Sequence, residues 1–334
     1  RMHGLASRSG AELIDRLRAA AEAAGIDIVT GAHVTGLVTT PEGRVRGLVV
    51  TRPDGSGERI GCDALVLACN GYGGNCSLVA EHIPALKDAL YFGHPGNQGE
   101  AVLWGRALGA ELRHMSGHQG HGSVAHPHGI LISWAVVMEG GFQVNAEGRR
   151  FWNEAAGYSE AALAVLGQPG GIAVDIFDAR IAGIARQFED FRRAEAAGAV
   201  VQAESMDELA TRLSIPPQVI RATLESVADL KRHGGRDAFG RDWSGVPQLE
   251  SPYHAVKVTG ALFHTQGGLA VDAAARVLRP GGDPLPNLFA AGGAAVGVSG
   301  PDASGYLSGN GLLTAVVLGR IAGGEAARLV LARP

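Results

Sequence analysis

Apolar residues recur at helical spacing near the start of the chain. Leu13, Ile14, Leu17, Ala20, Ala21 and Ala24 predict a helix over residues 9–24, stopped by Gly25. Residues 26–30, 33–40 and 44–51 alternate or run with β-branched side chains and predict strands, set off by the turn signals Pro41-Glu42-Gly43 and Pro53-Asp54-Gly55. Residues 63–69 form a short apolar run closed by Asn70-Gly71, the pattern of a parallel strand buried on both faces. A glycine-rich end on such a strand belongs at a ligand crevice. Residues 99–109 predict a helix with Leu103, Ala107 and Leu108 turned inward. From Glu111 the character changes: His114, His118, His121, His126 and His128 crowd one stretch, and apolar strands are expected around 129–137 and 142–144. Helices follow over 179–197, 205–213 and 216–233, the last opened by Pro216-Pro217. Residues 253–258 return to strand, 287–291 give a second buried strand closed by Gly292-Gly293, and 311–331 predict a final helix.

This order predicts the α/β class, with a split, truncated Rossmann-like domain in residues 1–105 and 260–334 and an α+β domain, residues 106–259, inserted between the pieces. The length of 334 residues agrees with about two domains. With 46% hydrophobic and 19% charged residues the composition is that of a globular protein, which excludes disorder, collagen and coiled coil. The 29 basic and 33 acidic residues leave a net charge of −4, and no run of Lys or Arg could neutralise successive phosphates, which argues against nucleic acid as a partner. Apolar stretches such as residues 312–318 fall short of the ~18 a membrane helix needs, and no signal peptide is visible. Cys62, Cys69 and Cys76 are an odd count without Cys-x-x-Cys spacing, so neither a disulfide framework nor a zinc site is expected and a cytoplasmic setting fits.

Glycine changes the picture. It supplies 50 of 334 residues, about twice the usual ~7%. Its clusters at Gly71 to Gly74, Gly267-Gly268, Gly292-Gly293, Gly297 to Gly300 and Gly305 to Gly311 mark sharp turns or close approaches and suggest a nucleotide or cofactor cradle. Yet the strand, Gly-x-Gly-x-x-Gly turn and helix that open a dinucleotide fold are absent, and the chain begins Arg1-Met2, which reads as a piece of a longer protein.

Several segments, in order, carry a resemblance: Val66-Leu67-Ala68-Cys69-Asn70-Gly71-Tyr72-Gly73, Gln119-Gly120-His121, the run from Val144 to Glu154, His264-Thr265-Gln266-Gly267-Gly268-Leu269, Asn287 to Gly293, Ser308-Gly309-Asn310-Gly311-Leu312 and Gly319-Arg320-Ile321-Ala322-Gly323. Together they resemble the flavoprotein family of fumarate reductase and succinate dehydrogenase, with soluble relatives such as 3-ketosteroid dehydrogenases and tricarballylate dehydrogenase-like proteins. The resemblance implies bound FAD, a capping domain closing over the flavin, and hydride passing between flavin N5 and a substrate C–C or CH–OH bond beside a carbonyl. It implies a small-molecule substrate and an electron acceptor that the residues do not specify.

Residue by residue, His121 and His264 match the family's two substrate-binding histidines, and Gln119 matches a neighbouring polar position. Flavin contacts carried over by the resemblance are Gly71, Gly292, Gly293 and the helix start Gly309, Asn310, Gly311 and Leu312, where free N–H groups meet the flavin's N1–C2=O edge. The departures are sharp. The family's proton-donating Arg falls on Tyr158, its Glu and Arg relay positions on Trp134 and Val137, its carboxylate-binding Arg on Tyr306, and its ribityl-binding acid on Gly293. Tyrosine has neither the charge nor the planar fork that grips a carboxylate, so dicarboxylate reduction is not expected, while a phenol can still donate to a developing enolate oxygen. Tyr158, Tyr306, His121, His264 and Gln119 are therefore the expected catalytic set. His114, His118, His126 and His128 read as surface or loop residues, with no metal site among them. The competing expectation is a non-catalytic piece of such a flavoprotein that holds FAD weakly or not at all.

Overall fold

The computed structural model describes residues 10–332. Both the Arg1-Met2 opening and Ser9 of the first expected helix lie outside them.

A three-stranded antiparallel meander, His33–Thr39, Val45–Thr51 and Gly57–Gly61, follows the helix Gly10–Ala23. The apolar residues expected to bury that helix do not, since none of its residues is buried. Residues 26–30 form no strand, and Ile26, Ile28 and Val29 remain exposed with no ladder to join. Leu65–Leu67 pairs in parallel with Pro284–Ala290, Leu65 opposite Leu288 and Leu67 opposite Ala290, so two segments far apart in sequence share one sheet. Leu67 is buried while Leu65 and Val66 are only partly so, short of the two-sided burial expected. Buried Asn287 ties the meander to this sheet: its Oδ1 accepts from Val45 N at 2.9 Å, and its Nδ2 donates to Val45 O and Asp63 O, both at 2.8 Å.

The middle of the chain builds a seven-stranded sheet around the long strand Tyr253–Thr265. It pairs antiparallel with His118–Ala125, Ile172–Asp178 and Val200–Ala203, and in parallel with Leu90–Tyr91. The expected break at residue 260 thus falls inside a continuous strand. The helix Tyr158–Leu166 lies across this sheet at a distance only glycine permits. A Cβ on Gly120 would stand 2.5 Å from Ser159 O, one on Gly122 2.3 Å from Ala161 Cβ, and one on Gly260 2.3 Å from Ala162 O. Ile132, Phe142, Phe177, Leu209, Ile220, Val256 and their neighbours form the largest core, and a separate cluster joins Val45, Leu67, Ala101, Leu269 and Leu288.

Other boundaries shift for local reasons. The expected helix over 179–197 is two helices, Ala179–Ala185 and Glu189–Ala196, the first capped by Asp178, whose side chain accepts from Ile181 N at 2.9 Å. The stretch 129–137 holds only the short strand Ile130–Leu131 before turning into the helix Ala135–Met138. In the helix Glu100–Ala107 it is Ala101, Val102 and Gly105 that are buried, while Leu103 faces outward. His118 is no surface residue: it is buried on its strand, whereas His114, His126 and His128 are exposed.

Candidate active site

His121 is fixed first by backbone. It sits on the strand His118–Ala125, where its Nδ1 accepts from Ser123 N at 3.1 Å. Its ring lies between Tyr158 and Phe263, centroids 5.2 and 5.1 Å away, with Trp134 edge-on at 5.7 Å. Burial without a compensating charge pushes its pKa down to about 3, so the imidazole is neutral, and the bond at Nδ1 leaves the proton on Nε2.

Tyr158 opens the helix Tyr158–Leu166 and reaches the site because the three glycines bring that helix onto the sheet. Tyr306 crosses it edge-on at 6.1 Å and touches His264 in the same manner at 5.4 Å. Burial pushes Tyr306 up to about 12, helped by Tyr158 and opposed by a hydrogen bond from the Gly309 backbone. It therefore keeps its proton at neutral pH. Burial holds His264 below the usual histidine range, against a hydrogen bond with the Thr265 backbone that favours the charged ring. His121, Tyr158, Tyr306 and His264 thus form an unbroken run of ring contacts, and Gln119 lies directly across the ladder from His264.

A cavity of about 280 Å³ opens beside this run, lined by Gln119, His121, Tyr158, Trp134, Phe263 and Phe188, among others. Tyr306 and His264 stand behind Tyr158 rather than on the cavity wall. Among the described residues no Lys or Arg lines it, and the one carboxylate among its lining residues, Asp190, is paired with Arg193 at 3.1 Å. Trp134 and Phe263 were absent from the expected catalytic set. Phe263 adjoins a motif histidine, and Trp134 occupies the relay position the resemblance had marked as altered. Phe188 and Asp190 gave no sequence signal.

The run from Val144 to Glu154 serves the fold. Arg150 Nη2 meets Glu154 Oε2 at 2.6 Å, its Nη1 meets Asp237 Oδ2 at 2.6 Å, and Arg241 meets Glu154 at 3.2 Å, all nearly closed to solvent. Arg241 also lies 3.8 Å from the ring centre of buried Trp243. From this cluster Gln143 leads back towards the site: its backbone N–H donates to Glu154 at 3.1 Å, and its Nε2 donates to Asp175 at 2.8 Å. Asp175 also accepts from the Ser123 hydroxyl.

The family comparison decides what this architecture belongs to. The profile of a family described as an FAD binding domain matches residues 1–312. The chain belongs to that FAD-binding family. A probable fumarate reductase of Shewanella frigidimarina is 34% identical over 331 residues, 99% of this chain and 55% of the relative. The open conformation of a flavocytochrome c3 fumarate reductase superimposes with a TM-score of 0.81 at 33% identity, covering 99% of this chain and 57% of that one. A 3-ketosteroid-Δ4-(5α)-dehydrogenase of Rhodococcus jostii RHA1, solved with 4-androstene-3,17-dione, gives 0.70 at 27% identity, covering 94% and 63%. The chain spans about half the length of the curated relatives it matches.

FAD is the cofactor of this family, and the end of this FAD-binding chain fits it. The 22-residue helix Asn310–Leu331 starts at Gly309, φ 94°, and no side chain caps it. Its first-turn N–H groups and positive dipole end suit an electron-rich ring edge. Leu312, Leu313 and Val316 expose apolar surface on the same helix. Gly292, φ 59°, packs on that helix, an added Cβ falling 3.6 Å from Ala315 Cβ. Gly71 and Gly293 have a packing reason to be glycine, since side chains there would collide with Thr265 Oγ1 and Asn70 Oδ1 at 2.1 and 2.2 Å. Among the described residues no cluster of His, Cys, Asp or Glu is placed to hold a metal, and no helix is long and apolar enough to cross a membrane.

Proposed function

We propose that this chain supplies the substrate site and part of the flavin cradle of an FAD-dependent oxidoreductase acting on a C–C or CH–OH bond beside an uncharged carbonyl. The observation that carries this is the run of ring contacts through His121, Tyr158, Tyr306 and His264 beside a cavity with no Lys or Arg among its lining residues. Bound FAD supplies hydride exchange. Residues 106–259 act as the cap over it.

The chain's own groups do the rest. Tyr158, on the cavity wall, donates its hydroxyl proton to the substrate oxygen or the adjacent carbon, and Tyr306 behind it stays protonated and supports it. His121 Nε2–H and Gln119 orient the carbonyl, while Phe263 and Trp134 exclude water from it. A dicarboxylate finds donors here but no Lys or Arg among the lining residues, and two buried carboxylates without a cation leave much of their desolvation cost unmet. The likeness to a steroid dehydrogenase supports the same reading.

The test is substrate competition in the full-length protein. With FAD bound, flavin absorbance should bleach or recover with a cyclic enone or its saturated ketone and stay unchanged with fumarate or succinate. Turnover of fumarate at a rate comparable with the enone would sink the proposal. A full-length protein that stays colourless after FAD addition would point instead to the non-catalytic alternative.

A further inference from the structure

The ring of His264 is held from behind by a chain of side chains that the proposed chemistry does not use. Asn310 Nδ2 lies 3.0 Å from Ser299 Oγ, Ser299 Oγ lies 3.0 Å from Gln266 Oε1, and Gln266 Nε2 lies 2.9 Å from His264 Nδ1. With the amide oxygens and nitrogens of Asn310 and Gln266 as placed, each link runs one way. The Asn310 amide nitrogen only donates, so the Ser299 oxygen accepts from it and sends its own hydrogen to Gln266 Oε1, which only accepts. Gln266 Nε2 only donates, so His264 Nδ1 accepts.

The chain is enclosed. Ser299 and Gln266 are both buried. The loop around them has given up side chains to admit them: a Cβ on Gly297 would meet Gln266 Oε1 at 2.4 Å, and one on Gly305 would meet Ser299 O at 1.9 Å. At the far edge of the imidazole, a Cβ on Gly311 would stand 3.1 Å from Cε1 and 3.3 Å from Nε2. The ring is therefore clasped between Gln266 and the first turn of the last helix, and Asn310 in that turn anchors the chain.

We infer that Gln266, Ser299 and Asn310 are positioning residues that lock His264 as the neutral tautomer with its proton on Nε2, and so couple that donor to the start of the helix Asn310–Leu331. The competing arrangement is a proton on Nδ1 shared with Thr265 O, a contact of 3.4 Å at the limit of hydrogen-bond range. The side-chain amide of Asn310 thus gives one of its N–H groups to Ser299.

Nitrogen-15 spectra of the full-length protein with labelled histidine, recorded before and after FAD loading, read the tautomer directly, with His264 assigned by its loss in His264→Asn. The expected result is one Nε2–H species, unchanged in Ser299→Thr, and a tautomer mixture in both Ser299→Ala and Gln266→Leu. A wild-type proton on Nδ1, or the wild-type tautomer persisting in both interrupted variants, overturns the inference. The kinetic arm rests on the oxidoreductase reading, with His264 acting through its contact with Tyr306: Ser299→Ala should lower kcat by at most about tenfold, the size of one neutral hydrogen bond, with KM nearly unchanged. An equal loss in Ser299→Thr counts against the inference. Absence of all turnover would sink the functional reading while the tautomer result still decides this one.

Discussion

Two regions of this molecule bury polar groups, and they solve the problem in opposite ways. Behind the sheet, Arg150, Glu154, Asp237 and Arg241 keep their charges and pair them, with Trp243 donating from Nε1 to Asp237 at 2.8 Å. At the candidate site, burial pushes His121 down to about 3, so the imidazole is neutral, and burial together with Tyr158 pushes Tyr306 up to about 12, so the phenol keeps its proton. In the paired cluster each buried charge has a partner of opposite sign within hydrogen-bond distance. Under the function proposed above, the lack of Lys and Arg among the lining residues of the cavity suits an uncharged substrate.

The largest expected effect breaks the paired region. Glu154→Ala leaves Arg150 and Arg241 facing each other across a void, and removing one partner of a buried ion pair costs ~3–5 kcal/mol. A lower urea midpoint for the full-length protein should show it, and a shift below ~1 kcal/mol would mean water or backbone carbonyls replace the carboxylate.

Next is Tyr158→Phe, which keeps the ring contacts of the neutral region and deletes only the hydroxyl. Turnover should fall by roughly 10²-fold or more with the thermal midpoint unchanged. Normal turnover would remove Tyr158 from the mechanism and leave His121, which lines the cavity, as the strongest donor.

Between the two regions lies Asp175. Its carboxyl is pushed up to about 7 by burial, which outweighs the hydrogen bonds from Ser123 and Gln143 that favour the anion. The folded state then holds its proton more tightly than the unfolded chain, whose value is near 3.8. Stability is therefore present at low pH and lost as pH rises from about 4 towards about 7. Lys231, pushed down to about 7 by burial, contributes the opposite slope above that point. Asp175→Asn should flatten the acid-side slope in unfolding measured at several pH values, and an unchanged slope would show that Asp175 is ionised throughout.

The smallest effect is expected at Trp134, whose buried indole N–H has no hydrogen-bond partner. Trp134→Phe relieves that cost and should raise stability by at most ~1 kcal/mol. A clear destabilisation would show that the indole's bulk against His121 matters more than its orphaned donor.

What could be read from the sequence follows the same division. The parallel pair around Leu67 and Leu288 was legible because continuous apolar runs ending in glycine have few other uses. The strand His118–Ala125 was not, since glycine and histidine replace apolar alternation there. The reason lies on the facing helix, whose backbone occupies the space of any side chain at Gly120 or Gly122. Tyr158, Tyr306, His121 and His264 came from ordered resemblance, and no periodicity marks them. The links from Gln266 to Ser299 and on to Asn310 span 33 and 11 residues, a relation that a one-dimensional pattern does not contain.

The strand Tyr253–Thr265 has a consequence for motion. Its 13 residues reach ~43 Å at ~3.3 Å each, with neighbouring strands bonded along both edges. Four ladders hold it, so its amides within them should exchange with deuterium more slowly than the amides of the flanking loops. Phe263 and His264 lie near its end, where the ladder to His118–Ala125 slips between Leu262 and His264, while Tyr306 reaches His264 from a loop outside the sheet. The contact between the two rings therefore joins a sheet strand to a loop that no ladder holds.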